Sequence, residues 1–110
     1  MEKRLTSESP LVCDLSALDT AQRERHQANT RQLFGSVKQI EELPDGYAFY
    51  WSAEAGTILN AAEFITLERL CCPFFDFALE IKSKGGPLRL TLTGRKGVKQ
   101  FILAELGLSK

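Results

Sequence analysis

No run of about 18 consecutive apolar residues occurs in the chain, so no segment of it is expected to span a bilayer as a helix. No excess of charge exists either, because 14 Lys and Arg balance 14 Asp and Glu. A neutral chain lacks the electrostatic footprint that a phosphate backbone attracts, which argues against a nucleic-acid partner. The stretch from Met1 to Pro10 lacks the apolar centre of a signal peptide. Histidine occurs once, as His26, and no Cys-x-x-Cys pair is present, which makes an ordinary zinc ligand set unexpected. The three cysteines are an odd number and do not suit a secreted disulfide framework. The expectation is a cytoplasmic protein with reduced thiols.

What remains is the composition of a soluble domain. At 110 residues, 44% hydrophobic and 25% charged, the chain can bury one modest core without disulfide staples. Residues 1–10 read as a mobile N-terminal arm and residues 11–110 as a single α+β domain.

Leu11, Val12, Cys13 and Leu15 form a short apolar patch, read as an edge strand or a strap. Asp19 or Thr20 starts a helix, with Gln22 in a capping-box position, and the helix runs to Phe34 before Gly35. It is very polar. Its stripe of Ala21, Ala28, Leu33 and Phe34 is thin, so it reads as a loosely packed surface helix with His26 at the surface. Val37 to Leu43 has weak strand character, Pro44-Asp45-Gly46 marks a turn, and Tyr47, Phe49 and Trp51 alternate with smaller or more polar residues. Ala55 to about Cys72 is a second helix, apolar over much of its circumference, and Pro73 ends it. Phe75, Phe77, Leu79 and Ile81 alternate with Asp76, Ala78, Glu80 and Lys82, and Leu88, Leu90 and Leu92 follow after Gly85-Gly86-Pro87. Val98, Phe101, Ile102 and Leu106 give a last helix whose apolar stripe Glu105 interrupts, and Gly107 closes it.

The order is helix, hairpin, helix, hairpin, helix. Each hairpin is apolar on one face and needs cover. The predicted fold is a four-stranded antiparallel sheet from two hairpins with helices packed on one face. The other face carries Glu80, Lys82, Arg89, Thr91 and Thr93, and is either exposed to water or the place where a second subunit docks. The second helix is apolar on too many sides for a small monomer, so a homodimer is expected.

The chemically unusual corner is Leu67-Glu68-Arg69-Leu70-Cys71-Cys72-Pro73-Phe74-Phe75. Were both cysteines helical, their thiols would diverge by roughly a quarter turn; if Pro73 pulls Cys72 out of the helix, the sulfurs converge. One reading makes both cysteines small buried hydrophobes. Another makes Cys71 and Cys72, with Cys13 as a third, ligands of a soft metal or metalloid such as Cu(I), Hg(II) or As(III). Redox catalysis ranks lower, because the negative end of a helix disfavours a thiolate. Glu68, Arg69 and Asp76 are candidate supporting residues, and an enzymatic role for Glu68 or Asp76 as acid or base stays open. Gly94-Arg95-Lys96-Gly97 reads as a basic turn before the last helix.

Leu43-Pro44-Asp45-Gly46-Tyr47, with the string Glu68-Arg69-Leu70-Cys71-Cys72-Pro73-Phe74 and the Phe77-Ala78-Leu79 strand, resembles a family of small, uncharacterised bacterial proteins. The resemblance runs from about Val12 onward and implies no particular activity. A more distant likeness is to organomercurial lyases, where paired cysteines and an aspartate act together. It rests on Cys71, Cys72 and Asp76, and the spacing here departs from that pattern. The two functional readings are thus a small cytoplasmic thiol protein binding a soft metal ion through adjacent cysteines, and a non-enzymatic dimeric interaction module with structural cysteines.

Overall fold

The computed structural model describes residues 11–106, so the N-terminal arm and the closing Gly107 lie outside the described residues. A short 3-10 turn, Leu15–Ala17, precedes α1 (Thr20–Gly35). Then come β1 (Gln39–Leu43), β2 (Gly46–Trp51), α2 (Ala55–Cys71), β3 (Asp76–Ile81), β4 (Leu88–Thr93) and α3 (Val98–Glu105). The four strands make one antiparallel sheet in the order β1-β2-β4-β3. The predicted α+β architecture of two hairpins and three helices is the one observed. The apolar patch at 11–15 forms no strand.

The cross-strand register explains which face is covered. Phe49 pairs with Leu90, and Leu90 with Leu79; Trp51 pairs with Leu88, and Tyr47 with Leu92. All of these but Leu79 are buried, and they meet α2 through Phe64 and α1 through Leu33 and Phe34. Phe34 stands edge-on to Phe49, Trp51 and Phe64 at centroid distances of 5.0, 5.6 and 5.1 Å. The Trp51 indole N–H donates to the Leu33 carbonyl at 2.8 Å, which satisfies the one polar atom that this packing buries with the ring. A second aromatic group, Phe74, Phe75, Phe77 and Phe101, joins α3 to the loop after α2. Among the described residues no helix is long and apolar enough to cross a membrane.

Four expectations need correction. Alternation predicts Ile81 on the covered face, yet it is 54% exposed, because β3 is an edge strand and its far end runs out from under the helices. Thr91 is expected in water but is buried; it lies on the inner strand β4, paired with Ala48 on one side and Ala78 on the other. The weak strand begins at Gln39, not Val37. Finally, α1 does not dock through an alanine stripe. Ala21 and Ala28 are exposed, and the buried positions are His26, Asn29 and Leu33. Asp19 and Gln22 do form the capping box that fixes the start of this helix.

Polar side chains hold α1 on α2. The Asn29 amide donates to the Asn60 carbonyl at 2.9 Å, Arg25 forks onto Glu63, and His26 meets Glu68. Phe64 of α2 is fully buried and packs against His26 and Phe34 of α1. Phe64→Ala is expected to lower the unfolding free energy by about 3–5 kcal/mol, read from the midpoint of a urea or guanidinium transition.

Candidate thiol and metal site

The site forms where α2 ends. Pro73 disfavours helix in the residue before it, and Cys72 accordingly has φ −125° and ψ 73°, outside the helical region. That single non-helical residue turns the Cys72 sulfur back toward its neighbour, and the two Sγ atoms lie 3.8 Å apart. The convergent alternative is therefore the observed one.

The third sulfur arrives from the N-terminal side. The Asp14 N–H donates to the Cys71 carbonyl at 2.7 Å, which seats the 11–18 segment against the end of α2. Cys13 then lies against Cys72, with Cα atoms 4.6 Å apart, and the two are joined as a disulfide. Cys71 is a free thiol. This differs from the expectation of three reduced thiols. The sequence separation of 59 gave no hint of proximity; the strap that Asp14 anchors creates it. The sulfurs of Cys13, Cys71 and Cys72 all lie within 4.8 Å of one another. With Cys71 that near to both partners, it sits beside the S–S bond and not in line behind it, which is the wrong approach for thiol–disulfide exchange without movement.

Glu68 lies one turn before Cys71 and Cys72, so the helix presents it on the same side. It is 3% exposed, a level rare for a carboxylate without a partner. Its partner is His26, whose Nε2 is 2.7 Å from Glu68 Oε1. The ring also stacks on Phe64 at 5.5 Å. His26 is thus a buried residue, and not the surface histidine that its polar helix suggests. Its other ring nitrogen, Nδ1, is buried without a hydrogen-bond partner, and so is Thr30 Oγ1. Both residues line a cavity of about 230 Å³ together with Glu68, Cys71 and Glu105.

Glu105, the residue that interrupts the stripe of α3, brings Oε2 to 3.7 Å from Cys13 Sγ. Its carboxyl is pushed up from the usual range, first by burial and then by the charge of Glu68. The Cys71 thiol contacts Glu68 through the backbone carbonyl at 3.7 Å and through Oε1 at 3.9 Å. Burial, and next the negative charge of Glu68, push this thiol up to about 11.

Of the six residues singled out from the sequence, four meet: Cys13, Cys71, Cys72 and Glu68. Arg69 is exposed on the outer side of α2. Asp76 is exposed at the start of β3, opposite Thr93, and belongs to neither the sulfur cluster nor its carboxylates. The carboxylates beside the sulfurs are Glu68 and Glu105. His26 and Glu105 were missed as site residues. The signal for Glu105 was its position inside an apolar stripe; for His26 there was none, since every residue around it is polar.

No family model, curated protein or solved structure matches the chain.

The raised Cys71 thiol has a consequence for stability. Its folded pKa of about 11 lies above the roughly 8.5 of an unfolded cysteine. The native chain then holds a proton that the unfolded chain releases, so the contribution is full below about pH 8.5 and is lost as pH rises toward 11. Unfolding curves from pH 8 to 11 are expected to fall less steeply in Cys71→Ala than in the parent chain; parallel curves would remove the assignment.

Proposed function

We propose that the chain is a small thiol protein that binds a soft metal or metalloid ion through Cys71, Cys72 and Cys13. The observation that carries this reading is the mutual approach of the three sulfurs at a cavity-lining helix end. An ion about 2.3 Å from each of three thiolates needs sulfurs roughly 3.5–4 Å apart. The 3.8 Å between Cys71 and Cys72 already suits this, and reduction of the Cys13–Cys72 bond would free the other two sulfurs, whose Cα atoms lie 4.6 Å apart. Soft thiolate donors select thiophilic ions over Mg²⁺ or Ca²⁺. Capture of arsenous acid balances as three thiols plus As(OH)₃ giving the tris-thiolate and three waters, after a thiol reductant has supplied two electrons to the disulfide. A reducing compartment, the cytoplasm, belongs to the same proposal.

The competing reading, an interaction module with structural cysteines, is favoured by one observation: Cys71 and Cys72 are 1% and 0% exposed. Titration of the reduced chain separates the two. The parent chain is expected to bind one equivalent of As(III). Cys71→Ser, Cys72→Ser and Cys13→Ser should each weaken it by more than the roughly 10–100-fold typical of losing only a supporting contact to a ligand. Equal affinity in all four proteins would leave packing as the role of the sulfurs. Binding of Hg(II) alone decides nothing, since any accessible thiol takes it.

A homodimer is the second part of the proposal. Leu59 and Leu70 of α2 are 70% and 40% exposed, on a side that neither α1 nor the sheet covers. Light scattering on a size-exclusion column at micromolar concentration should give twice the chain mass, and Leu59→Glu should return it to the monomer; a monomer throughout ends the idea.

A further inference from the structure

Forming the Cys13–Cys72 bond removes two of the three sulfurs from coordination chemistry, yet it leaves a second donor set intact. His26, Glu68 and Cys71 are all buried, and one ligand atom from each lies within 4.8 Å of the others. We propose that these three residues form a distinct site for a borderline divalent cation such as Zn²⁺, available while Cys13 and Cys72 are joined. The site shares Cys71 with the three-thiol reading but does not rest on it.

Four observations support the assignment. The donors are an imidazole, a carboxylate and a thiol, the ligand types that Zn²⁺ takes, at metal distances of about 2.0–2.3 Å. Such distances require ligand atoms about 3–3.5 Å apart; His26 Nε2 and Glu68 Oε1, at 2.7 Å, would open by about half an ångström, and Cys71 Sγ, at 3.9 Å from the same oxygen, would close by a similar amount. The charges also close. A dication with one carboxylate, one thiolate and a neutral imidazole sums to zero, which is what a buried site tolerates. The proton of the Cys71 thiol leaves on binding, while that of His26 Nε2 moves to Nδ1. The ion thereby takes the place of the Nε2 hydrogen bond to Glu68, and the proton passes to Nδ1, which is buried at the cavity wall without a hydrogen-bond partner.

The fourth observation is the opening. Three protein ligands leave one coordination position of a tetrahedral ion free. His26, Glu68 and Cys71 all face the cavity of about 230 Å³, whose wall also carries Thr30, with its buried unpartnered hydroxyl, and Glu105. A water or other small oxygen ligand on the ion would meet these groups. The absence of a Cys-x-x-Cys pair and the remote single histidine argue against zinc in the bare sequence; α1 packing on α2 removes the second objection.

The test uses the full chain in its oxidised form, with the Cys13–Cys72 bond verified by intact mass, and Co²⁺ and Zn²⁺ as probes. One equivalent of Co²⁺ should produce a near-ultraviolet thiolate-to-cobalt band and visible bands of a four-coordinate ion, both displaced by Zn²⁺. Cys71→Ser should abolish the thiolate band, and His26→Gln should weaken binding by about tenfold or more. His26→Gln also disturbs the Glu68 pair, so a measurement on the parent chain stands beside it. The chain has one histidine, and its imidazole proton resonances should shift on Zn²⁺ binding. No binding by the oxidised parent chain, or binding with no thiolate band and unmoved imidazole resonances, overturns the site. Because the three-thiol reading is measured on the reduced chain with As(III), either proposal can fail while the other survives.

Discussion

The constraint on which the rest depends is a carboxylate buried at the end of α2. Glu68 cannot be taken out of water without a partner; removing one member of such a buried pair typically costs about 3–5 kcal/mol. His26 supplies that partner at 2.7 Å, and because it belongs to α1, the pair dictates where α1 must lie. This explains how a helix with almost no apolar stripe is docked at all. Its buried positions, His26, Asn29 and Leu33, are two polar residues with specific acceptors and one leucine under the Trp51 indole. Apolar packing directs only its last turn, through Leu33 and Phe34, and hydrogen bonds fix the register of the rest.

The same carboxylate sets the chemistry next to it. Its charge helps to keep the Cys71 thiol protonated, and it also raises Glu105 from across the cluster. A cysteine at the C-terminal end of a helix already sits in an unfavourable field for a thiolate. Cys71 is therefore a poor nucleophile toward carbon or sulfur, and a positively charged guest is what would make its thiolate favourable. This is a physical reason to prefer coordination over covalent catalysis, and it agrees with the position of Cys71 beside the S–S bond.

Three of the four strands were legible from period-two alternation in Tyr47–Trp51, Phe75–Ile81 and Leu88–Thr93, although it misplaced Ile81 and Thr91. The capping box of α1 and the stop at Pro73 were legible too, since each is local chemistry. The site was only partly so. The adjacency of Cys71 and Cys72 is visible in the chain, and so is their convergence, as one of two outcomes that Pro73 allows. The approach of Cys13 is not, because it depends on a backbone hydrogen bond from Asp14 to Cys71 that no residue type announces. Asp76 looked near the thiols in sequence, but four residues of loop and strand carry it to an exposed position outside the cluster. Long-range polar pairs such as His26 with Glu68 leave no periodic trace, which is why burial of the one histidine could not be read.

The strap raises a last point about how the cluster can change state without unfolding. A bond closing a 59-residue separation stabilises by about 4 kcal/mol on chain-entropy grounds, so opening it is not a small event. Yet the 11–18 segment is held independently of sulfur: Asp14 is bonded to the Cys71 carbonyl, Leu18 is buried at the core, and Leu11 packs against it. Contacts of this kind, if they persist on reduction, would hold Cys13 near Cys72 at a high effective concentration for either a new disulfide or a shared ion. An ion bridging Cys13 and Cys72 would restore a cross-link of the same span, so capture and oxidation become alternative ways of closing one loop. If both proposals hold, the oxidation state of two sulfurs decides which donors an ion meets, three thiolates in one case and the Cys71 thiolate with Glu68 and His26 in the other.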